Sequence, residues 1–191
     1  YFKDKNDSTS ITEKWAQILK AKGLKKIEGA IIGDASVFDD NMIPPQWIWA
    51  DMGNYFGAGA CGLSFHDNSY TVYLNSKEPG KPVTISRTEP VIENLQLINK
   101  LTSGGKTDSA YIYGSPYTYY RTIEGSVPPN KINYEVEGSI PDPALFCAQN
   151  LESSLKKSGV LISNKSTTMR ALREAGQNVI PFKHALYTHY S

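Results

Sequence analysis

Apolar residues near the start of the chain recur at helical spacing and predict an amphipathic helix. Its apolar stripe consists of Ile11, Trp15, Ile18 and Leu19. Ser10 and Glu13 stand three positions apart, as in a capping box, and Gly23 is placed to end the helix. The apolar run 27–32 that follows predicts a buried strand.

A second helix is predicted from residue 143. Asp142 is a suitable N-cap, and Pro143 suits the first helical position. Gly159 is placed to end this helix, and another apolar strand candidate follows it. Its apolar stripe consists of Ala144, Cys147, Ala148, Leu151 and Leu155. The two helix-then-strand units predict one α/β layer built from both ends of the chain.

Between these units the helical spacing gives way to short β-rich runs separated by turns. Upstream, residues 62–65 and 70–74 flank a polar turn and predict a hairpin. From about residue 78 the predicted strands are 83–87, 95–101, 110–113, 117–124 and 131–137. Breakers such as Pro79-Gly80 and Pro128-Pro129 separate them. The pattern therefore predicts an α+β protein, in which an α/β domain (1–77 plus 141–191) encloses a small antiparallel β domain (78–140).

Charge and hydropathy exclude several classes of function. The 191 residues carry 20 basic and 19 acidic side chains, so no broad attraction to nucleic acid or to an anionic membrane is expected. No apolar run reaches the ~18 residues of a membrane span, and no signal peptide is visible. Because the chain starts at Tyr1 without a methionine, we expect it to be a processed or excised segment.

The stretch 29–58 concentrates aromatic rings, turn residues and acids, and reads GAIIGDASVFDDNMIPPQWIWADMGNYFGA. Its pattern is G-x-I-x-G-D-x-S-x-F-D, followed by P-P-x-W-x-W-x-D-x-x-x-Y-F/Y-x-A. This pattern resembles the D-alanyl-D-alanine carboxypeptidase/endopeptidase family, the class C low-molecular-mass penicillin-binding proteins. Family members interrupt their catalytic domain with two extra domains, one nested in the other, which matches the predicted order of α/β, β and α/β.

The resemblance implies a serine hydrolase that uses S-x-x-K, S-x-N and K-T-G motifs. By letter, two S-x-x-K matches lie within 153–157, at the end of the second predicted helix, and S-x-N and K-T-G are missing. Lysine is favoured at a helix C-terminus by the helix dipole, so these matches are attributed to chance. The chain is therefore expected to be a non-catalytic insert, inactive on its own, within a parent that hydrolyses peptidoglycan stem peptides and binds β-lactams through its catalytic domain.

Asp51 is the candidate recognition residue. The resemblance implies that this aspartate meets the free amino group at the end of a stem peptide, with Phe56 lining the pocket and Trp49 and Tyr55 as neighbours. A carboxylate pairs well with an ammonium group, and aromatic rings can cover the aliphatic arm that carries it. The alternative is that Asp51 caps a turn and that the tryptophans only pack.

No cofactor or metal is expected, since His66, His184 and His189 lack metal-ligand spacing. Cys61 and Cys147 suit buried thiols, and a disulfide stays open if the protein is exported. The family implies a periplasmic or cell-envelope location. A competing interpretation is a free-standing module that binds glycan or cell wall, with tyrosines and tryptophans as stacking platforms.

Overall fold

A computed structural model of the chain describes residues 10–107, 109–177 and 185. The chain divides into two compact units. Unit 1 comprises Tyr1–Phe38 and Ala144–Ser191, and unit 2 comprises Asp39–Pro143. Helices and small sheets occur together, so the predicted α+β class is confirmed.

Unit 1 contains three helices and four very short strands in its described part. The helices are α1 (Ile11–Ala21), α3 (Pro143–Lys157) and α4 (Met169–Glu174); α2 (Trp49–Met52) lies in unit 2. The strands are β1 (Lys26–Ile27), β2 (Ile32–Gly33), β9 (Leu161–Ile162) and β10 (Thr167–Thr168). Strand β1 pairs in parallel with β9, and β2 pairs in parallel with β10.

The predicted helices of unit 1 are confirmed, together with the capping box of α1. The Ser10 side chain accepts a hydrogen bond from the backbone of Glu13, whose side chain accepts one from the backbone of Ser10. Ala16, Leu155 and Val160 form the centre of a core that joins α1 to α3. The predicted strand at 27–32 is wrong as one element, because it is interrupted between β1 and β2, where Glu28-Gly29 lacks apolar side chains.

The described residues of unit 2 form two three-stranded sheets. One has the order β4-β3-β8, with β3 at Ser69–Asn75, β4 at Thr84–Glu89 and β8 at Tyr134–Ser139, and all its pairings are antiparallel. The other has the order β5-β7-β6, with β5 at Gln96–Ser103, β6 at Tyr111–Tyr113 and β7 at Tyr120–Val127. Five of these strands overlap the five runs predicted between residues 78 and 140.

The pairing within unit 2 differs from the prediction in two respects. Strand β5 pairs with β7 in parallel, so the β region is not purely antiparallel. Strand β6 lies on the far side of β7 and pairs with it antiparallel. The chain thus runs from β5 to β6 in the opposite direction and returns as β7, parallel to β5 and between the two. Residues 62–65 form no strand, so the predicted hairpin is wrong; β3 pairs instead with β4 and β8.

The boundaries of the units also differ from the predicted division at residues 77 and 141. Strand β3 lies before residue 77, but its partners β4 and β8 lie after it, so β3 belongs to the same compact unit as the β region. The block 29–58 is itself divided, with residues 39–58 in unit 2. Within the described ranges, no helix is long and apolar enough to cross a membrane.

Candidate functional site

Toward its end, the aromatic-rich stretch 29–58 forms a single helical turn, α2 (Trp49–Met52), followed by a 3₁₀ turn at Tyr55–Gly57. Ile48 stands at the N-cap and provides no side-chain hydrogen bond. A four-residue helix without a side-chain cap has little stability of its own, because helix nucleation is unfavourable. Contacts with the rest of unit 2 must therefore fix its position.

Asn54 supplies the first of these contacts. Its side chain is almost fully buried, at 2% exposure. The amide Nδ2 donates to the carbonyl oxygen of Ala50 (2.6 Å), and Oδ1 accepts from the backbone nitrogen of Ile112 in β6 (2.9 Å). One side chain thus ties the helical turn to the edge strand of the β5-β7-β6 sheet.

Arg121 and Ser139 fix the other end of α2. Arg121, at 1% exposure, donates through Nη1 to the carbonyl oxygens of Ser139 (2.5 Å) and Gly53 (3.4 Å). The Ser139 hydroxyl donates to the carbonyl oxygen of Met52 (2.8 Å), and the Ser139 backbone nitrogen donates to the carbonyl oxygen of Gly53 (2.9 Å). Burial lowers the pKa of Arg121, and the neighbouring Tyr70 hydroxyl acts in the opposite direction.

Two glycines allow the close approach on which this arrangement depends. A Cβ atom on Gly53 would lie 1.9 Å from the carbonyl oxygen of Ile112, and one on Gly57 would lie 1.9 Å from that of Asp51. Both distances are far below van der Waals contact, so any side chain there would displace α2. The turn is therefore packed directly against neighbouring backbone.

Asp51 lies on this fixed turn and is half-buried. Its backbone carbonyl oxygen accepts a hydrogen bond from the backbone nitrogen of Asn54 (3.1 Å). Over the ranges that the structure describes, its carboxylate has neither a hydrogen-bond donor nor a basic ion-pair partner. It thus differs from Asp34, whose pKa is lowered by hydrogen bonds from Ser36 in a local turn.

Tyr55 and Phe56 lie together directly after α2. Their rings meet edge to face, with centroids 5.4 Å apart, and they are 55% and 50% exposed. Ile48, before the turn, is also exposed, at 62%. The block therefore presents apolar surface instead of burying it in the core of unit 2.

Trp49 belongs to a different surface. Residues i and i+2 of a helix do not face each other, so the Trp49 and Asp51 side chains leave the turn on different sides. The Trp49 ring stacks on Tyr113, with centroids 6.4 Å apart and an angle of 29°. A cavity of about 400 Å³ opens here, lined by Trp49, Lys100, Tyr113, Gly114, Thr118, Tyr120, Thr122 and Glu124.

The S-x-x-K letters in 153–157 lie on α3 in unit 1. The hydroxyl of Ser154 is buried and donates to the hydroxyl of Thr12 (3.0 Å). Lys156 forms an ion pair with Glu152, one helical turn earlier, with Nζ and Oε1 2.5 Å apart. Burial raises the pKa of Glu152, but hydrogen bonds from Lys156 and Ser166 outweigh it and hold that pKa below its usual range.

Neither cysteine forms a disulfide: Cys61 is partly exposed and Cys147 is buried, which raises the pKa of the Cys147 thiol to about 11. His66 is exposed, whereas His184 and His189 lie outside the described residues. Among the described residues, no cluster of three or more His, Cys, Asp or Glu side chains is placed to hold a metal ion.

Asn54 and Arg121, which position the candidate residues, were not among the residues expected from the sequence. Arg121 and Ile123 are two positions apart in β7 and share its buried face, whereas Tyr120 and Thr122 lie on the other face. Because alternate residues of a strand share a face, the apolar Ile123 could have indicated that Arg121 points inward. Asn54 gave no comparable signal, because asparagine after a short helix is typical of exposed turns.

Solved structures with a similar fold include penicillin-binding proteins. A crystal structure of penicillin binding protein 4 (DacB) from Haemophilus influenzae aligns with 82% of this chain and 35% of that one, with a TM-score of 0.63 and 19% identity. The structure of its complex with a novel β-lactam aligns with a TM-score of 0.51 at 15% identity, over 81% of this chain and 31% of the other.

Sequence comparison points the same way. The D-alanyl-D-alanine carboxypeptidase DacB of Haemophilus influenzae is 33% identical over 69 residues, which is 36% of this chain and 14% of that protein. The chain thus spans only a minor part of the relatives it matches. The sequence profile of the D-Ala-D-Ala carboxypeptidase 3 (S13) family matches residues 4–183, and the chain therefore belongs to this family.

Proposed function

We propose that this chain is the non-catalytic insert region of a serine-type D-Ala-D-Ala carboxypeptidase/endopeptidase. The parent enzyme would act in the periplasm or cell envelope on peptidoglycan stem peptides and bind β-lactams through a catalytic domain outside this segment. The family match over residues 4–183 supports the parent activity. Two S-x-x-K serines support the assignment of catalysis elsewhere, because both hydroxyls are already engaged. The hydroxyl of Ser154 donates to Thr12, and that of Ser103, which starts a further match ending at Lys106, is buried and donates to the carbonyl oxygen of Lys77.

We further propose that Asp51 recognises the free amino group of the stem peptide, with Phe56 and Tyr55 beside it. The observation that carries this proposal is an unpaired carboxylate on a rigid support. Asn54, Arg121 and Ser139 fix the turn, yet the described part of the chain offers the Asp51 carboxylate no partner. A binding carboxylate held ready in this way pays little ordering entropy when a cationic ligand arrives.

Substitution of Asp51 in the full-length enzyme tests the proposal. A charge-assisted hydrogen bond contributes about 1.5–3 kcal/mol, so Asp51→Asn should lower kcat/KM by about ten- to a hundredfold for stem peptides with a free side-chain amine. Peptides with that amine acetylated should be cleaved almost as well as by the wild type. Equal losses on both peptides would leave Asp51 with a structural role only.

Asp67→Asn is the matched control. Asp67 lies in an exposed turn of the same unit at a φ of 52°, a conformation that asparagine tolerates well. The substitution removes the same charge without touching α2. It should leave kcat/KM unchanged for both peptides, which separates local recognition from a change in net charge.

A further inference from the structure

One face of the β5-β7-β6 sheet carries aromatic rings in place of the usual polar side chains. Trp49, Tyr111 and Tyr120 are 54%, 43% and 60% exposed. Tyr113 lies between two of them, with its ring centroid 6.4 Å from that of Trp49 and 6.4 Å from that of Tyr111. We refer to these four rings and the cavity beside them as the aromatic groove.

Strand register explains why the rings share one face. Tyr113 is paired with Thr122 and Tyr111 with Glu124, so these side chains project to the same side of the sheet. The opposite face holds Arg121 and Ile123, which are buried. The core of unit 2 therefore lies behind the sheet, and folding of the core does not require the exposed rings in front of it.

The charges of the groove cancel. Lys100 and Glu124 are paired across β5 and β7, with Nζ and Oε2 3.6 Å apart. Thr118 and Thr122 add hydroxyl groups to the cavity wall. A nucleic acid would require excess positive charge, and a highly charged peptide would require charge of the opposite sign. An uncharged ligand with many hydroxyl groups fits this balance of donors and acceptors.

We propose that the aromatic groove binds a glycan made of uncharged pyranose units, such as N-acetylhexosamines. The faces of aromatic rings are negatively polarised and attract the C–H groups on the flat faces of sugars. Thr122, Lys100 and Glu124 would exchange hydrogen bonds with the sugar hydroxyls. A cavity of about 400 Å³ lies within the usual range for small-molecule sites.

This inference goes beyond stem-peptide recognition and does not depend on it. Trp49 and Asp51 leave the helical turn on different sides, so a sugar on Trp49 need not touch the Asp51 carboxylate. Glycan binding would add a second point of attachment to peptidoglycan, the polymer that carries the stem peptide. The distance between the two sites would set the effective concentration of the second ligand at its site.

The test uses the full-length protein and β-1,4-linked N-acetylglucosamine tetramers and hexamers, which contain no peptide. Titration calorimetry should show saturable binding, stronger for the hexamer, accompanied by a change in tryptophan fluorescence. Tyr120→Ala and Tyr113→Ala should each raise Kd by about tenfold, the upper end of the range for one lost aromatic contact. Because these oligomers carry no free amine for the Asp51 carboxylate, this test can fail without the stem-peptide test failing.

Tyr73→Ala is the matched control. Tyr73 is a tyrosine of the other sheet, covered by the Arg87 guanidinium at 3.6 Å from its ring centroid. Its loss should leave the oligomer Kd unchanged. The proposal is overturned if the oligomers do not bind, or if groove variants that retain the wild-type melting temperature bind as well as Tyr73→Ala does. Because Tyr120 is 60% exposed, its substitution leaves the core intact and keeps the test decisive.

Discussion

Removal of the Asn54 side chain should displace α2 and destabilise unit 2. In Asn54→Ala, the buried backbone N–H of Ile112 loses its acceptor, and the partly buried carbonyl oxygen of Ala50 loses its donor. An orphaned buried group costs about 1–3 kcal/mol, and a typical hydrogen bond that water can replace contributes about 0.5–1.5 kcal/mol. We therefore expect the free energy of unfolding to fall by about 1.5–4.5 kcal/mol, a large share of a typical total of about 5–15 kcal/mol.

Urea unfolding followed by fluorescence measures this loss, since Trp49 lies on the turn that Asn54 holds. The urea midpoint should fall while the m-value stays constant, because the surface exposed on unfolding hardly changes. The control is Asn41→Ala, an exposed asparagine of the same unit, which should stay within about 0.5 kcal/mol of the wild type. If Asn54→Ala is as stable as Asn41→Ala, the idea that Asn54 fixes α2 is refuted.

Three further predictions concern buried polar and ionisable groups. Arg121→Met should destabilise the protein and lower stem-peptide and oligomer binding together, since it releases Gly53 and Ser139 at the end of α2; unchanged binding of both ligands would contradict this. Glu152 has a lowered pKa, so its contribution to stability is complete above the unfolded value of about 4.3 and is lost as the pH falls through the folded value. Glu152→Gln should accordingly lower the melting temperature at pH 7, and this loss should shrink progressively as the pH falls below the unfolded value; a loss that stays constant into acid would exclude this ionic role. Cys61 should react with a thiol reagent in the native protein, whereas Cys147, with a pKa of about 11, should react only after unfolding; equal rates in the native state would contradict its burial.

Local signals in the sequence sufficed for most individual elements. The capping box of α1 and the proline at the start of α3 depend on contacts within a few residues, so they are readable without knowledge of the fold. Strands β4 to β8 were also located, because turn residues interrupt a region without helical spacing. The gap between β1 and β2 was missed, because the apolar residues on both sides of Glu28-Gly29 suggested one continuous strand.

Non-local pairing explains what the sequence could not supply. The parallel pairing of β5 with β7 depends on the position of β6 beyond β7, and strand composition does not encode that order. The separation of Trp49 from Asp51 likewise required the helical turn, since the motif alone suggested one shared pocket. That the Asp51 carboxylate lacks a partner in the described part of the chain depends on every neighbour, so only a structure can supply it.

The central claim is that Asp51 and the stem-peptide amine interact directly, and a thermodynamic cycle tests it most sharply. The cycle combines Asp51→Asn with acetylation of the amine and compares kcat/KM for the four pairs of enzyme and peptide. Direct contact predicts a coupling energy of about 1.5–3 kcal/mol, because either change alone removes the whole interaction. A coupling energy near zero, with the two effects simply additive, would contradict the account.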